Sequence, residues 1–158
     1  MRLNIYSLPL NKVALTAILV LLLWGIFCWF FGSKRWFRNS CLAMSFVALF
    51  LIFWYTVIGR TPSDRHVFVF AVKNFQEFKR ELFMNGLLFL PLGLTLSVPF
   101  GLWPVIGAFI LSIVIELWQY ITGAGYGQGT DIICNTLGCL IGSMPYLTTI
   151  LVKRQKRV

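Results

Sequence analysis

The chain has 158 residues, of which 58% are hydrophobic and only 12% charged, and its formal net charge is +9. A water-soluble domain keeps about a quarter of its residues charged to cover its surface, so this composition excludes an ordinary soluble domain and favours a surface that faces lipid. The four cysteines form no C-x-x-C pair, which argues against a zinc or disulfide framework, and the basic residues are scattered between apolar runs, which argues against nucleic-acid binding.

Successive apolar runs predict an all-α, polytopic membrane helix bundle with about five transmembrane helices, because about 20 residues at 1.5 Å each cross a bilayer core. Between the third and fourth runs, Pro99-Phe100-Gly101 predicts a tight helical hairpin. The five predicted spans are Val13 to Phe31, Cys41 to Ile58, Leu82 to Val98, Leu102 to Ile121 and Ile132 to Val152.

Two segments between the predicted spans are not apolar enough to cross. The first is the polar loop from Gly59 to Glu81, which contains a short apolar stretch from His66 to Val72. This stretch is expected either to lie in the membrane interface or to fold over the helix ends. The second is the glycine-rich link from Gly123 to Gly129, whose glycines permit close approach to other groups.

Basic residues predict the orientation of the bundle. The dense positive tail after the last span is expected in the cytoplasm, because cytoplasmic loops are enriched in Lys and Arg. With five spans, the polar loop and the glycine-rich link then lie outside, although the polar loop itself carries basic residues. The residues expected inside are Lys34, Arg35, Arg38 and the tail residues Lys153, Arg154, Lys156 and Arg157.

The fourth predicted span carries polar side chains on one helical face, formed by Ala108, Ser112, Glu116 and Gln119. An ionised carboxylate within a bilayer is expensive unless it is paired or hydrated, and such residues commonly mark functional sites. Glu116 is therefore a candidate functional residue. The alternative, for both Glu116 and Gln119, is an interhelical hydrogen-bond pair that fixes the geometry of the bundle.

Polar residues also open the fifth and third spans. Thr130 is read as a helix N-cap, and Asp131 suits the dipole at a helix N-terminus, although Asp131 is also a candidate for chemistry. Asn135 needs buried partners for its amide, whereas the pair Gly138 and Gly142 predicts a helix-packing seam. In the third span, one helical face is predicted to carry Glu81, Asn85, Phe89 and Gly93 at i+4 steps.

These residues are expected to meet at one depth. In the five-span topology, Asn85, Glu116, Gln119, Asp131 and Asn135 all fall in the outer half of the bilayer. Three separate helices would then line a polar pocket that opens toward the outer leaflet or the cell exterior.

Four motifs in order resemble the VanZ-like family over roughly positions 55 to 145. They are the segment YTVIGR from Tyr55, N-x-x-x-F-x-P-x-G from Asn85, S-x-x-x-E-x-x-Q from Ser112 and D-x-x-x-N-T-x-G from Asp131. The resemblance implies a bacterial plasma-membrane protein with a VanZ-like domain over 55–152, following two N-terminal helices over 1–54 and preceding a basic cytoplasmic tail over 153–158. The named member of the family is associated with resistance to the glycopeptide teicoplanin.

With the resemblance, the candidate binding residues are Arg60, Asn85, Gln119 and Asn135. The candidate catalytic residues are Glu116 and Asp131. One departure is Gln128, which stands about where many family members carry a further acidic residue. If family chemistry needs two acids in this region, this chain lacks one of them.

Three functional interpretations follow. The first is an envelope protein that contributes to glycopeptide or envelope-stress resistance by binding a glycopeptide or a lipid-linked envelope ligand. The second is an intramembrane enzyme acting on a lipid or glycan-linked substrate, with Glu116 as acid or base and Asp131 as its partner. The third is a scaffold for another membrane protein. No cofactor is expected and no metal-binding spacing such as H-E-x-x-H occurs. Membrane lipids are expected partners, and the oligomeric state stays open.

Overall fold

A computed structural model describes Leu19, Leu21, Leu23, Trp24, Ile26, Arg60 and the ranges 34–58, 66–70 and 74–155, without the side chains of 77, 80, 81 and 150–154. The first predicted span lies largely outside the described residues, as do the last residues of the basic tail. The elements in chain order are α1 Lys34–Phe53, a π-helical turn Trp54–Ile58, β1 Phe68–Val69, α2 Phe75–Phe100, α3 Trp103–Thr122, β2 Gly127–Gln128 and α4 Gly129–Gln155.

The prediction of a polytopic membrane helix bundle is confirmed. Four helical segments of the described chain are long and apolar enough to cross a membrane: Lys34–Ile58, Leu82–Phe100, Trp103–Thr122 and Gly129–Thr149. They correspond to the second through fifth predicted spans. The expected hairpin joins α2 to α3, where Gly101 adopts a left-handed φ of 66° and its amide donates to the Ser97 carbonyl at 2.9 Å.

The helix α3 buries polar side chains and exposes large apolar ones, which is the reverse of a surface helix in a soluble protein. Its buried face consists of Ala108, Ser112, Ile115, Glu116 and Gln119. Its exposed face carries large aliphatic side chains at Ile106, Ile110, Val114, Leu117 and Ile121. This distribution suits lipid, in which apolar side chains can face the solvent while polar groups must be satisfied inside the bundle.

The most extensive interface joins α2 and α4, and glycines bring the two backbones together. A Cβ atom at Gly138 would overlap the Gly86 carbonyl, and one at Gly142 would overlap the Leu90 carbonyl. The predicted Gly138–Gly142 packing seam is therefore confirmed, and α2 is the helix that uses it. Such small-residue seams are typical of membrane helix pairs, because close backbone approach maximises van der Waals contact.

The helices extend beyond the predicted spans. α1 begins at Lys34 and not at Cys41, and α2 begins at Phe75 and not at Leu82. Hydropathy marks only the part of a helix that suits the bilayer core, whereas backbone hydrogen bonding continues into the polar flanks. α2 also runs continuously through Pro91 and Pro99.

The short apolar stretch of the polar loop folds over the helix ends, which is the second of the two alternatives expected from the sequence. Phe68 pairs with Gly127 and Val69 with Gln128 in a parallel two-stranded ladder. His66 Nδ1 lies 2.9 Å from the Tyr120 carbonyl oxygen near the end of α3. The loop that follows α1 is thus fastened to the glycine-rich link between α3 and α4.

Candidate functional site

Chain direction brings the candidate residues to one end of the bundle. The π-helical turn ends α1, Thr122 ends α3, and Gly129 begins α4, and all three meet where β1 pairs with β2. α2 and α3 are consecutive antiparallel helices, so the N-terminal half of α2 with Asn85 reaches the same end. We refer to the polar side chains of this end, with the backbone groups that they contact, as the polar cluster. Its side chains are those of Arg60, Asn85, Ser112, Glu116, Gln119, Thr130, Asp131 and Asn135.

The centre of the polar cluster is the buried face of α3. Ser112, Glu116 and Gln119 are exposed by only 0%, 2% and 1% of their surfaces. They follow one another at i+4 and i+3, so they form a row that runs about 10 Å along the helix axis toward its C-terminal end. Each of the three contacts a different segment of the chain, and these contacts define the cluster.

Gln119 joins α3 to the end of α1. Its Nε2 donates to the carbonyl oxygen of Thr56 at 3.1 Å, and its Oε1 accepts from Arg60 Nη1 at 3.4 Å. The Thr56 carbonyl lies in the last turn of the π-helical segment, where carbonyl groups lack a partner further along the helix. The amide of Gln119 therefore satisfies a helix end and holds the Arg60 guanidinium close to the cluster.

Glu116 joins α3 to the start of α4. Its Oε2 accepts a hydrogen bond from the backbone amide of Gln128 at 2.7 Å. Because α4 begins at Gly129, Gln128 is the residue that precedes its first turn. The Glu116 carboxylate thus lies at the positive end of the α4 dipole, which favours an anion. A carboxylate from a neighbouring helix thus lies at this helix end in addition to Asp131, the acid in the first turn of α4 itself.

Asn135 on α4 contacts Ser112, the member of the row that lies farthest from the C-terminal end of α3. Its Nδ2 donates to Ser112 Oγ at 2.8 Å, which links α4 to α3. Among the described residues, no donor lies within hydrogen-bonding distance of Asn135 Oδ1, and no partner lies within reach of the buried Thr130 Oγ1. Buried polar atoms are nearly always hydrogen-bonded, so these two atoms, both from the first two turns of α4, mark places where water or a ligand would bind.

The two remaining candidates flank this row. Asp131 is 7% exposed and lies in the first turn of α4. Asn85 is half-buried and precedes Gly86, where a Cβ atom would lie 3.5 Å from the Cys134 carbonyl oxygen. Asn85 is therefore level with the first turns of α4. Gln119 contacts Arg60 directly. Asn85 and Asp131 lie at the same end of the bundle as the row of Ser112, Glu116 and Gln119.

Glycines of the link let the loop after α1 cover the cluster closely. A Cβ atom at Gly125 would overlap Arg60 Nη1, and one at Gly127 would lie 2.6 Å from the Phe68 ring and 3.1 Å from the Glu116 carbonyl oxygen. Any larger residue at these two positions would push Arg60 or Phe68 away. The absence of side chains at Gly125 and Gly127 thus lets Arg60 and Phe68 of the loop approach the row formed by Ser112, Glu116 and Gln119.

Two features of the polar cluster were not anticipated from the sequence. The predicted N-cap role of Thr130 is wrong, because α4 already begins at Gly129 and the Thr130 hydroxyl has no hydrogen-bond partner among the described residues. The backbone of Thr56 and Gln128 supplies the partners of Gln119 and Glu116, and backbone groups leave no signal in residue type. Gln128 departs from the family pattern, but its position beside a predicted helix start is a usable signal. Backbone amides at a helix start attract a carboxylate such as that of Glu116.

The chemistry available at the cluster is that of hydrogen bonding to a polar group. It offers two carboxyl groups, one guanidinium and several amide and hydroxyl groups within a largely buried site. In the part of the chain that the structure describes, no group of three His, Cys, Asp or Glu side chains is arranged to hold a metal ion. His66 is exposed and contacts Tyr120.

Comparison with known proteins identifies the family. No solved structure matches the chain. The chain is similar to Protein VanZ of Enterococcus faecium, with 37% identity over 71 residues, which cover 42% of this chain and 44% of that protein. The matched region therefore spans less than half the length of this relative. The family model described as VanZ/LLP1 matches residues 17–152, which include α1 as well as the polar cluster. The chain is a multi-pass membrane protein that belongs to the VanZ/LLP1 family.

Proposed function

We propose that this protein lowers the sensitivity of a bacterial cell to teicoplanin or to a related envelope-active compound, by binding a polar ligand group at the polar cluster. The observation that carries the proposal is the pair of buried oxygen atoms, Asn135 Oδ1 and Thr130 Oγ1, for which the described residues offer no partner. Family membership and the similarity to Protein VanZ support the resistance role.

The ligand class follows from the groups that the cluster presents. Arg60 would attract an anionic or carbonyl-bearing group, while the oxygen atoms of Thr130 and Asn135 would accept hydrogen bonds from hydroxyl or amide donors. Glycopeptides and the sugar-bearing or peptide-bearing envelope precursors all carry such groups. In the proposed orientation the protein lies in the plasma membrane with its C-terminus in the cytoplasm, and the cluster lies toward the outer leaflet.

The alternative of an intramembrane enzyme is less well supported. The Glu116 carboxylate is engaged by the Gln128 amide at the start of α4, which is a position that suits a fixed anion. A general acid or base must instead exchange a proton with the substrate during each turnover. The fixed position of Glu116 therefore favours a structural and electrostatic role for this carboxylate.

The test is expression of the full chain in a susceptible host, followed by growth inhibition with teicoplanin and a panel of other cell-wall-active and lipophilic antibiotics. The variants are Glu116→Gln, Asp131→Asn and Asn135→Ala, each scored for membrane abundance as well as for phenotype. The proposal predicts that Asn135→Ala loses the protection when it is compared with the unaltered chain at matched membrane abundance. Absence of any protection by the unaltered chain would contradict the resistance role, and loss of protection only together with abundance would favour a structural role.

A further inference from the structure

A second cavity lies at the end of the bundle opposite the polar cluster. Its volume is about 340 Å³, and it is bounded by Ile26, by the first turns of α1, by the last turns of α2 and by the C-terminal half of α4. Its walls include Phe37, Cys41, Leu94, Val98 and Tyr146. None of these residues belongs to the polar cluster, so the cavity is a separate feature of the fold.

Three threonines line this cavity, but their hydroxyl groups are all engaged by their own helices. Thr95 Oγ1 donates to the Pro91 carbonyl at 2.8 Å, Thr148 Oγ1 to the Pro145 carbonyl at 2.8 Å, and Thr149 Oγ1 to the Tyr146 carbonyl at 2.7 Å. Their hydroxyl donors are therefore used within the helices. The cavity wall offers almost solely carbon atoms to an occupant, which suits a hydrocarbon chain and does not suit a sugar or a nucleotide.

Positively charged residues lie beside the part of α1 that lines the cavity. Lys34 and Arg38 precede Phe37 and Cys41 at helical spacings of i+3, so the four residues share one face of α1. Lys34 and Arg38 are both exposed. No acidic residue occurs among residues 1–63, so no acid from this part of the chain offsets the two cations. An apolar cavity beside an uncompensated basic helix end is complementary to an anionic amphiphile.

We propose that this cavity binds one anionic phospholipid, with an acyl chain against Phe37, Leu94 and Tyr146 and the phosphate beside Lys34 and Arg38. Basic residues next to a membrane-spanning helix attract anionic lipid head groups, which supports this choice of occupant over a neutral lipid. The bound lipid fills the gap between α1, α2 and α4. The site is independent of the function proposed for the polar cluster.

The experiment is native mass spectrometry of the full chain in detergent, with added phosphatidylglycerol or phosphatidylcholine as probes. The unaltered chain is expected to retain phosphatidylglycerol in preference to phosphatidylcholine. Each of the changes Lys34→Gln and Arg38→Gln is expected to reduce retention about fivefold, since each basic residue near an anionic surface contributes about 1 kcal/mol. Lys79→Gln is the matched control, because Lys79 is an exposed cation that lines a different apolar cavity, between α2 and α4, and is flanked in the sequence by acids at positions 77 and 81.

A further variant addresses the hydrocarbon part of the site. Thr149→Phe is expected to fill the cavity and to displace phosphatidylglycerol without altering the charge. Glycerol phosphate, which carries the anion without an acyl chain, is expected not to bind. Equal retention of both phospholipids, or equal effects of Lys79→Gln and the Lys34→Gln/Arg38→Gln pair, would overturn the proposal, as would binding of glycerol phosphate alone. If Thr149→Phe does not fold, the charge variants and the two head groups decide the outcome.

Discussion

The Glu116 carboxylate, on the buried face of α3, accepts a hydrogen bond at 2.7 Å from the backbone amide of Gln128, the residue that precedes α4. This contact explains how a membrane-spanning helix tolerates an acid that is only 2% exposed. The amide and the dipole of α4 replace part of the hydration that the carboxylate loses. The same contact holds the glycine-rich link against α3 and so shapes one wall of the polar cluster.

The first prediction concerns this contact. Glu116→Gln keeps an oxygen acceptor for the Gln128 amide and is expected to reduce the unfolding free energy by at most about 1 kcal/mol, the usual value of a charge at a helix end. Glu116→Ala leaves the amide without an acceptor and is expected to cost about 1–3 kcal/mol. Unfolding of the purified protein in detergent, followed by circular dichroism, measures both. Leu117→Ala, at an exposed position of the same helix, is the control, and equal losses for the two Glu116 variants would contradict the role given to the hydrogen bond.

The second prediction concerns the glycine seam between α2 and α4. Gly138→Ala places a methyl group against the Gly86 carbonyl and is expected to destabilise the bundle by about 1–3 kcal/mol through overpacking. Gly107→Ala is the matched control, because a Cβ atom there meets nothing within 4 Å, and the change is expected to be neutral or to stabilise α3 by up to about 1 kcal/mol. Thermal unfolding monitored by loss of the monodisperse peak in size-exclusion chromatography compares the two. Equal stability of both variants would show that the seam does not require a glycine.

The third prediction concerns orientation. Phe70 and Trp103 are 84% and 73% exposed and lie at opposite ends of the bundle. In intact cells, Phe70→Cys is expected to react with a membrane-impermeant maleimide, whereas Trp103→Cys is expected to react only after permeabilisation. Cys41, Cys134 and Cys139 are buried, and the unaltered chain provides the background reading. The reverse pattern of labelling would place the polar cluster on the cytoplasmic side.

The polar face of α3 could be predicted from the sequence because lipid restricts where polar side chains can lie. Ser112, Glu116 and Gln119 recur at helical spacing within an apolar run, and all three are buried. The Gly138–Gly142 seam could be predicted for a related reason, since paired glycines in a membrane helix serve close packing. The assignments of Arg60, Asn85, Gln119 and Asn135 to binding, and of Glu116 and Asp131 to chemistry, stay predictions.

The ladder between Phe68–Val69 and Gly127–Gln128 could not be predicted from the sequence. Each strand has two residues, which is too short for a periodic pattern, and the partners are far apart in the chain. The π-helical turn at Trp54–Ile58 was also missed, because its residues suit an α-helix equally well. Both features depend on tertiary contacts, and both position backbone groups near the row formed by Ser112, Glu116 and Gln119.

The central claim is tested most directly by Thr130→Val, measured as teicoplanin sensitivity at matched membrane abundance. Thr130 Oγ1 is buried and has no hydrogen-bond partner among the described residues, so its isosteric replacement removes no contact that the structure shows. Thr136→Val is the control on the same helix, because the Thr136 hydroxyl is engaged by the Ile132 carbonyl at 2.7 Å. We predict that Thr130→Val retains abundance and stability but loses protection, while Thr136→Val keeps protection. Full protection by a normally abundant Thr130→Val variant would contradict a ligand site at this end of the bundle.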